Sequence, residues 1–330
     1  MLTLVDFWYK MNILTVRVRG WIRQNRCFMK LTSIILIVFL VALLSIGLVG
    51  CLPYRTPEPE VATFKLMSFN MRINVIEANG KRVPYDTVKE RAPMLLKHIA
   101  DGDPDVICAQ EWTTVHTTYL EEELGKTYEI IFYDRGDLYE GCAILFKKDR
   151  FELVEEERFW LSETPDEPSY GWDAQYPRIY ISTVLRDKKN NKTFRVGTTH
   201  IEANENVAKG QQRKMVVDYT RDSKEPAILC GDFNFDATHS LYLYCINTLN
   251  DCRTLDPNAT TTASYNGYNF DGKALDNDGN VKDGYGYPID QIFVKRNTFT
   301  VHSYDVLNYQ IDGMFSSDHY PVLVELSLND

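Results

Sequence analysis

Between residues 63 and 327 the chain is laid out as a succession of short apolar runs, at 63–70, 104–110, 127–133, 141–147, 151–160, 177–186, 193–200, 226–231, 289–295, 299–306 and 320–327. Runs of that length, punctuated by Gly, Pro, Asn and Asp, read as strands. Helical periodicity occupies 87–100, 113–124 and 205–222, and in a weaker form 238–248. Strict alternation of strand and helix would give one parallel sheet. Helices interleaved with hairpin-like strand pairs instead favour a mixed α/β sandwich, two sheets covered by helices. No short-period repeat is present. Two irregular segments, 161–177 with three prolines and 257–288 rich in Asn, Gly, Asp and Tyr, read as long loops of the kind that carry binding residues.

The N-terminus sets a different constraint. Residues 31–50, LTSIILIVFLVALLSIGLVG, are uncharged, apolar and about long enough to cross a bilayer, with basic residues immediately before them. The run closes on Leu48-Val49-Gly50-Cys51, which resembles the lipobox of bacterial lipoprotein signal peptides and would make Cys51 a lipidated first residue. The alternative is an uncleaved signal anchor, since the run exceeds the usual signal core. Met29-Lys30 precedes it directly, so translation begins at either Met1 or Met29. Both readings put the rest of the chain outside the cytoplasm. The expected organisation is therefore 1–51 basic region plus signal or anchor, 52–61 a Pro/Glu-rich tether, and 62–330 a single catalytic domain.

Charge narrows the partners. The whole chain is at −10, but the first 51 residues hold six basic side chains against one acid, leaving 30 basic and 45 acidic residues beyond them. An acidic body repels nucleic acid except at a local basic groove, which weights small phosphoesters above long polymers. The seven cysteines lack CxxC spacing, so neither a zinc site nor a disulfide framework is implied. Nor is a stable protein partner.

Polar residues recur at the ends of the apolar runs, where a strand delivers its last side chain to a sheet rim. Asn70 closes FKLMSFN, Glu111 closes DVICAQE, His200 closes FRVGTTH, Asp232 and Asn234 follow AILCG, and Asp318-His319 precedes YPVLVEL. One such residue carries little. The ordered series SFN, QE, TH, GDFN, DQIF and SDH resembles the endonuclease/exonuclease/phosphatase superfamily, whose fold is that of DNase I, across nearly the whole body. The resemblance implies a four-layer α/β sandwich with its site where strand-end loops converge, and a divalent-metal phosphoesterase.

In-line attack on a phosphoester needs a cation to offset charge on phosphoryl oxygens, a positioned water and help for the leaving oxygen. Glu111 is the leading metal ligand, because a hard carboxylate suits Mg²⁺, with Mn²⁺ as the alternative; Asn70 and Asp318 are expected beside it. By the resemblance Asp232 orients and deprotonates the attacking water, and Asn234 donates to the phosphate. Asp232 and Asn234, two apart in a segment read as extended, would face one side; an Asx turn is the competing reading. His319 would contact a phosphate oxygen with Asp290, of Asp290-Gln291-Ile292-Phe293, orienting it, and His200 would hold another oxygen. Arg72, Glu140, Trp172 and Arg178 are weaker substrate-binding assignments. His98, His116, His239 and His302 match no motif and read as structural or exposed.

The substrate is less legible. An Arg expected soon after GDxN in inositol polyphosphate 5-phosphatases is replaced by Phe235-Asp236, and the acidic body disfavours an abasic-site endonuclease. An extracellular nuclease, a sphingomyelinase or phospholipase-C-like lipid diesterase, and a non-catalytic binding protein on the same fold stay open. Tyr265, Tyr268, Phe270, Tyr285 and Tyr287 give the second long loop aromatic character suited to stacking on a sugar, a base or an inositol ring.

Overall fold

Each of the apolar runs becomes a strand. In chain order the elements are β1 (Thr63–Asn70), the short ribbon β2 (Glu77–Ala78) and β3 (Lys81–Arg82), α1 (Val88–Gly102), β4 (Val106–Thr113), α2 (Thr114–Leu124), β5 (Tyr128–Asp134), β6 (Glu140–Lys147), β7 (Phe151–Trp160), β8 (Ile179–Asp187), β9 (Thr193–His200), α3 (Val207–Asp222), β10 (Ala227–Asp232), α4 (Tyr242–Thr248), β11 (Asn250–Asp251), α5 (Cys252–Leu255), β12 (Asp290–Val294), β13 (Phe299–Val306) and β14 (Val322–Leu328). The computed structural model describes residues 61–75, 77–78, 81–82, 87–136, 140–260, 262–267 and 287–329, with isolated stretches at 11–12, 14–15, 17–21, 25 and 38–39. Met1–Glu60 and Val61–Asp330 are separate units. The apolar run 31–50 and Cys51 lie outside the described residues apart from 38–39. Among the described residues no helix is long and apolar enough to cross a membrane.

Two six-stranded sheets form, one in the order β13-β14-β1-β4-β6-β5 and one in the order β11-β12-β10-β9-β8-β7. Both are mixed: β1 runs parallel to β4 and antiparallel to β14, and β10 runs parallel to β9 and antiparallel to β12. Alternation along each strand builds three apolar layers. In β1, Phe64 and Leu66 point between the sheets, where they meet Val196, Ile228 and Ile292. Met67 and Phe69 point outward, under Leu95 and Ile99 of α1 and Leu120 of α2. On the far side Leu229 and Phe293 pack beneath Val216 and Val217 of α3 and Tyr242 of α4. Helix, sheet, sheet and helix make the four layers, and strands buried on both faces explain why the runs look continuously apolar rather than alternating.

Three helices start one or two residues later than their periodicity suggests, because the intervening residue caps them. Thr87 and Thr113 make capping boxes with Glu90 and His116, and the Asn206 side chain accepts from the Lys209 amide. The buried cysteines 108, 142, 230, 245 and 252 are all free thiols.

Candidate active site

Pairing register places the polar residues side by side along two facing rims. In the second sheet His200 is the direct partner of Asp232, and Asp232 of Asp290. In the first, Asn70 ends β1 beside Gln110 of β4, Glu111 follows in a bulge, and Asp318 and His319 lead into β14. The rims then meet in order. His319 Nδ1 lies 2.7 Å from Asp290 Oδ2, Asn70 Nδ2 donates to Asp232 Oδ2 at 3.0 Å, and His200 Nδ1 stands 3.9 Å from Glu111 Oε1 and 4.0 Å from Glu140 Oε1. Below the site Gln110 Nε2 donates to Thr198 Oγ1 at 2.8 Å, a buried bond tying one sheet to the other.

Local backbone conformation aims several of these groups. Glu111 sits at φ 56 in the β4 bulge, where an inserted residue turns its side chain off the regular pleat. Gly231 has φ 142, and a Cβ there would lie 2.0 Å from the Thr199 carbonyl oxygen, which accounts for the Gly before Asp232. The segment from Asp232 to Asn234 is not extended. Asn234 is left-handed at φ 51, and its amide donates to Asp232 Oδ1 at 2.9 Å, an Asx turn. The turn wins because it satisfies the carboxylate and the amide just where strand pairing ends. Asn234 Nδ2 donates to the Ile201 carbonyl at 2.9 Å.

A cavity of about 640 Å³ opens above the rims. Glu111, Arg178, His200, Asp232, Asn234, Asp318 and His319 line it, and Asn70, Asp290 and Glu140 are buried behind that wall. Arg72 meets Asp318 Oδ2 at 2.6 Å, so the Asp318 carboxylate expected to be free for a metal or water is already ion-paired. Glu140 is buried against Arg135 at 2.8 Å. Trp172 is not part of the wall; its amide donates to Glu163 within the 161–177 loop. Tyr265 lines the cavity and packs edge-on against His319 at 4.9 Å. Tyr268, Phe270 and Tyr285 lie outside the described residues.

Sequence reasoning missed several neighbours. Glu205, Lys209, Asp236, Thr238 and His239 form the outer wall. Lys209 pairs with Glu205, and His239 Nε2 lies 3.0 Å from the same carboxylate. Four residues apart at a helix start, Glu205 and Lys209 look in sequence like a solvated pair. Ser264 Oγ donates to Asp290 Oδ2 at 2.6 Å, and Ser317 Oγ donates to the Asn70 carbonyl at 2.7 Å; no local pattern marks either.

Electrostatics divide the site. Burial opposes charge on His319, but Asp290 and Asp232 beside it outweigh that and lift it to about 10. Burial, reinforced by Asp290 and opposed by His319, lifts Asp232 to about 7. His200 goes the other way: burial, then Arg178 and Arg135, hold it well below the ordinary histidine value, so it is neutral. Asp318 is held low despite burial, by Arg72 and then His319.

The donor set fits a divalent cation. Asp232, Asp290 and His319 offer ligand atoms within 4.8 Å of one another, although the His319–Asp290 hydrogen bond already occupies two of those atoms. The end made by Glu111, Asn70 and Asp232 is rich in oxygen, as Mg²⁺ and Mn²⁺ prefer. Five carboxylates also line the cavity, those of Glu111, Glu205, Asp232, Asp236 and Asp318. An anionic substrate entering such a wall requires added positive charge.

Two sheets packed face to face, helices outside, and a buried His–Asp pair opposite a strand-end carboxylate define a DNase I-like hydrolase. The signature described as "Endonuclease/Exonuclease/phosphatase family" matches residues 67–319, and the chain belongs to that family of phosphoester hydrolases. A solved family protein from Bacteroides thetaiotaomicron is 28% identical, with TM-score 0.71 over 82% of this chain and 99% of that one. A mannosyl-6-phosphatase from the same organism is also 28% identical, with TM-score 0.67 over 80% of this chain and 99% of its own. Mouse Nocturnin is 22% identical over 284 residues, covering 76% of this chain; the chain spans 62% of that relative's length.

Proposed function

We propose that the protein is an exported, membrane-tethered, Mg²⁺-dependent phosphatase that releases inorganic phosphate from a small phosphomonoester, a sugar phosphate in particular. The observation that carries the reading is the convergence of Asn70, His200 and His319 on one oxygen of Asp232, at 3.0, 3.4 and 3.6 Å. A cavity of about 640 Å³ suits a sugar-sized molecule. The likeness to the mannosyl-6-phosphatase supports the substrate class. Export and tethering rest on the basic flank, the apolar run 31–50 and Cys51.

In this mechanism Asp232 accepts a proton from water as its oxygen attacks phosphorus, and the bond from phosphorus to the sugar oxygen breaks on the opposite side. The sugar leaves as an alcohol, its oxygen taking a proton from solvent, and Asp232 returns the proton it accepted to solvent before the next turnover. Asp290 holds His319 as an imidazolium, which stabilises the ionised Asp232 and the growing negative charge on the phosphoryl oxygens. Neutral His200 and the Asn234 amide supply hydrogen bonds without adding negative charge. Glu111 and Asn70 would hold the cation, which when bound acts as a Lewis acid toward the phosphoryl group.

A substrate panel tests the reading directly: sugar phosphates, DNA, RNA, sphingomyelin and phosphoinositides in one Mg²⁺ buffer, with and without EDTA. Phosphate release from sugar phosphates that stops with EDTA is expected. Turnover indifferent to EDTA overturns the metal role, and exclusive cleavage of nucleic acid or lipid overturns the substrate class.

A further inference from the structure

Arg178 arrives at the same rim by the same logic as the residues beside it. It stands immediately before β8, and Tyr180 of β8 pairs with Thr199, the residue preceding His200. Along the second sheet the rim therefore reads Asp290, Asp232, His200 and then Arg178. Its side chain reaches the cavity wall beside Glu111, His200 and Asp232.

What sets it apart is the lack of a partner. Arg178 is 5% exposed, its Nε is buried without a hydrogen bond, and among the described residues its guanidinium makes no hydrogen bond or ion pair. Glu140, the carboxylate that compensates it most, is taken by Arg135 at 2.8 Å. Arg135 and Arg178 both lie near the Tyr176 ring, 4.9 and 5.9 Å from its centroid. Leaving a buried cation unpaired costs several kcal/mol. Lys209, the other Lys or Arg side chain on the cavity wall, is already paired with Glu205, and His319 is held by Asp290.

We propose that Arg178 is the anchor for the phosphoryl group, and that its planar fork makes the site selective for phosphomonoesters over phosphodiesters. The proposal rests on the phosphatase reading and specifies its substrate class. A guanidinium binds two oxygens of one phosphate in parallel. A monoester has three unsubstituted oxygens and up to two negative charges, so the fork can take two and leave one for Asn234, His200 or His319. A diester has only two such oxygens and one charge, so the other donors must share oxygens that the fork already engages. Its second ester group would also have to fit against the buried Arg178–Tyr176 wall.

The test compares wild type, Arg178→Lys and Arg178→Gln in two measurements: kcat/KM for p-nitrophenyl phosphate against bis(p-nitrophenyl) phosphate, and binding of inorganic phosphate by calorimetry. Wild type should favour the monoester. Arg178→Gln should lower the monoester value by about 10²–10³-fold, a loss typical for one charged donor to a developing oxyanion, should lower the diester value far less, and should abolish phosphate binding. Its melting temperature should hold or rise, because an unpaired buried charge is removed; a purely structural arginine would give a fall. Arg178→Lys keeps the charge but not the fork, and should lose most of the monoester preference even if the Gln variant does not fold. Phosphate binding unchanged in either variant, equal losses on both esters, or a wild-type preference for the diester overturns the proposal. Wild-type protein that binds phosphate through Arg178 yet hydrolyses neither ester would instead reject the phosphatase reading and leave the anchor standing.

Discussion

His319 Nε2 faces Asp232 Oδ2 across 3.6 Å, and each group sets the charge of the other. Asp290, hydrogen-bonded to the far side of the imidazole at 2.7 Å, keeps His319 protonated to about pH 10; in turn His319 keeps Asp232, buried beside Asp290, from rising beyond about 7. Between those values the pair is ionised carboxylate and imidazolium, the state that both accepts a proton from water and stabilises phosphoryl charge.

The pH dependence of turnover follows from that pair. The kcat/KM profile should show an acid limb at or below pH 7, moved lower by a bound cation, and an alkaline limb toward pH 10. Asp232→Asn should lose at least ~10²-fold in turnover, the usual contribution of a positioned base, with the fold retained. Stopped assays across pH 4 to 10 check both. A flat profile, or wild-type turnover in Asp232→Asn, rejects the assignment.

The sheets were legible because their central strands are buried on both faces, which leaves short apolar runs such as 141–147 that cannot be helices at that length. The rim residues were legible because each one stands at one end of such a run. The ribbon β2–β3, β11 and α5 were not, since two to four residues carry no period. At Asp232–Asn234 the Asx turn, the competing reading, displaced the extended segment, because sequence spacing does not reveal where strand pairing stops. Ser264, Ser317 and Lys209 were invisible for a further reason: their partners Asp290, Asn70 and Glu205 are identified only after distant segments, or the two ends of a helix turn, are brought to one cavity.

Stability should respond to pH through His319 as well. Its value is raised in the folded state, so its contribution is fully present below about 6.5 and is lost as pH rises through about 10. Asp232, also raised, removes stability as pH rises toward about 7, with the same sign. Metal-free protein should therefore weaken between pH 7 and 10, by roughly 3–5 kcal/mol for a shift of this size. Asp290→Asn should flatten that slope while lowering stability at pH 7. Urea unfolding at several pH values measures it; a slope identical in both proteins removes the His319–Asp290 pair from the account.

The proposed tether makes a separate prediction about Cys51. In a bacterial host the wild type should incorporate radiolabelled palmitate and partition with membranes, and Cys51→Ala should do neither lipid labelling nor signal cleavage. The physical basis is additive: a run long enough for a bilayer can itself anchor, but only a lipidated cysteine survives cleavage at Gly50. Equal labelling of both proteins rejects the lipobox, and membrane retention without labelling identifies an uncleaved anchor instead.

Arg91 tests whether the site depends on a buried support behind its rim. It is fully buried on α1, and its guanidinium donates to the carbonyls of Met71 at 2.6 Å, Ser316 at 2.9 Å, Arg72 at 2.8 Å and Ile73 at 2.9 Å. Those carbonyls flank Asn70 on one side and Asp318 on the other, so one side chain sets the spacing between two rim segments nearly 250 residues apart in order. Arg91→Met would leave the carbonyls without that donor set, at a cost of about 3–5 kcal/mol. Arg91→Lys keeps the charge but cannot fork to four acceptors, and should lose less stability while still loosening Asn70 against Glu111 and Asp232, held now at 3.1 and 3.0 Å. Turnover in the Lys variant should then fall about tenfold or more, since small misplacements of catalytic groups are costly, and calorimetry should show weaker cation binding. A Lys variant with wild-type stability, turnover and cation affinity would mean that the rim segments are placed by the sheets alone.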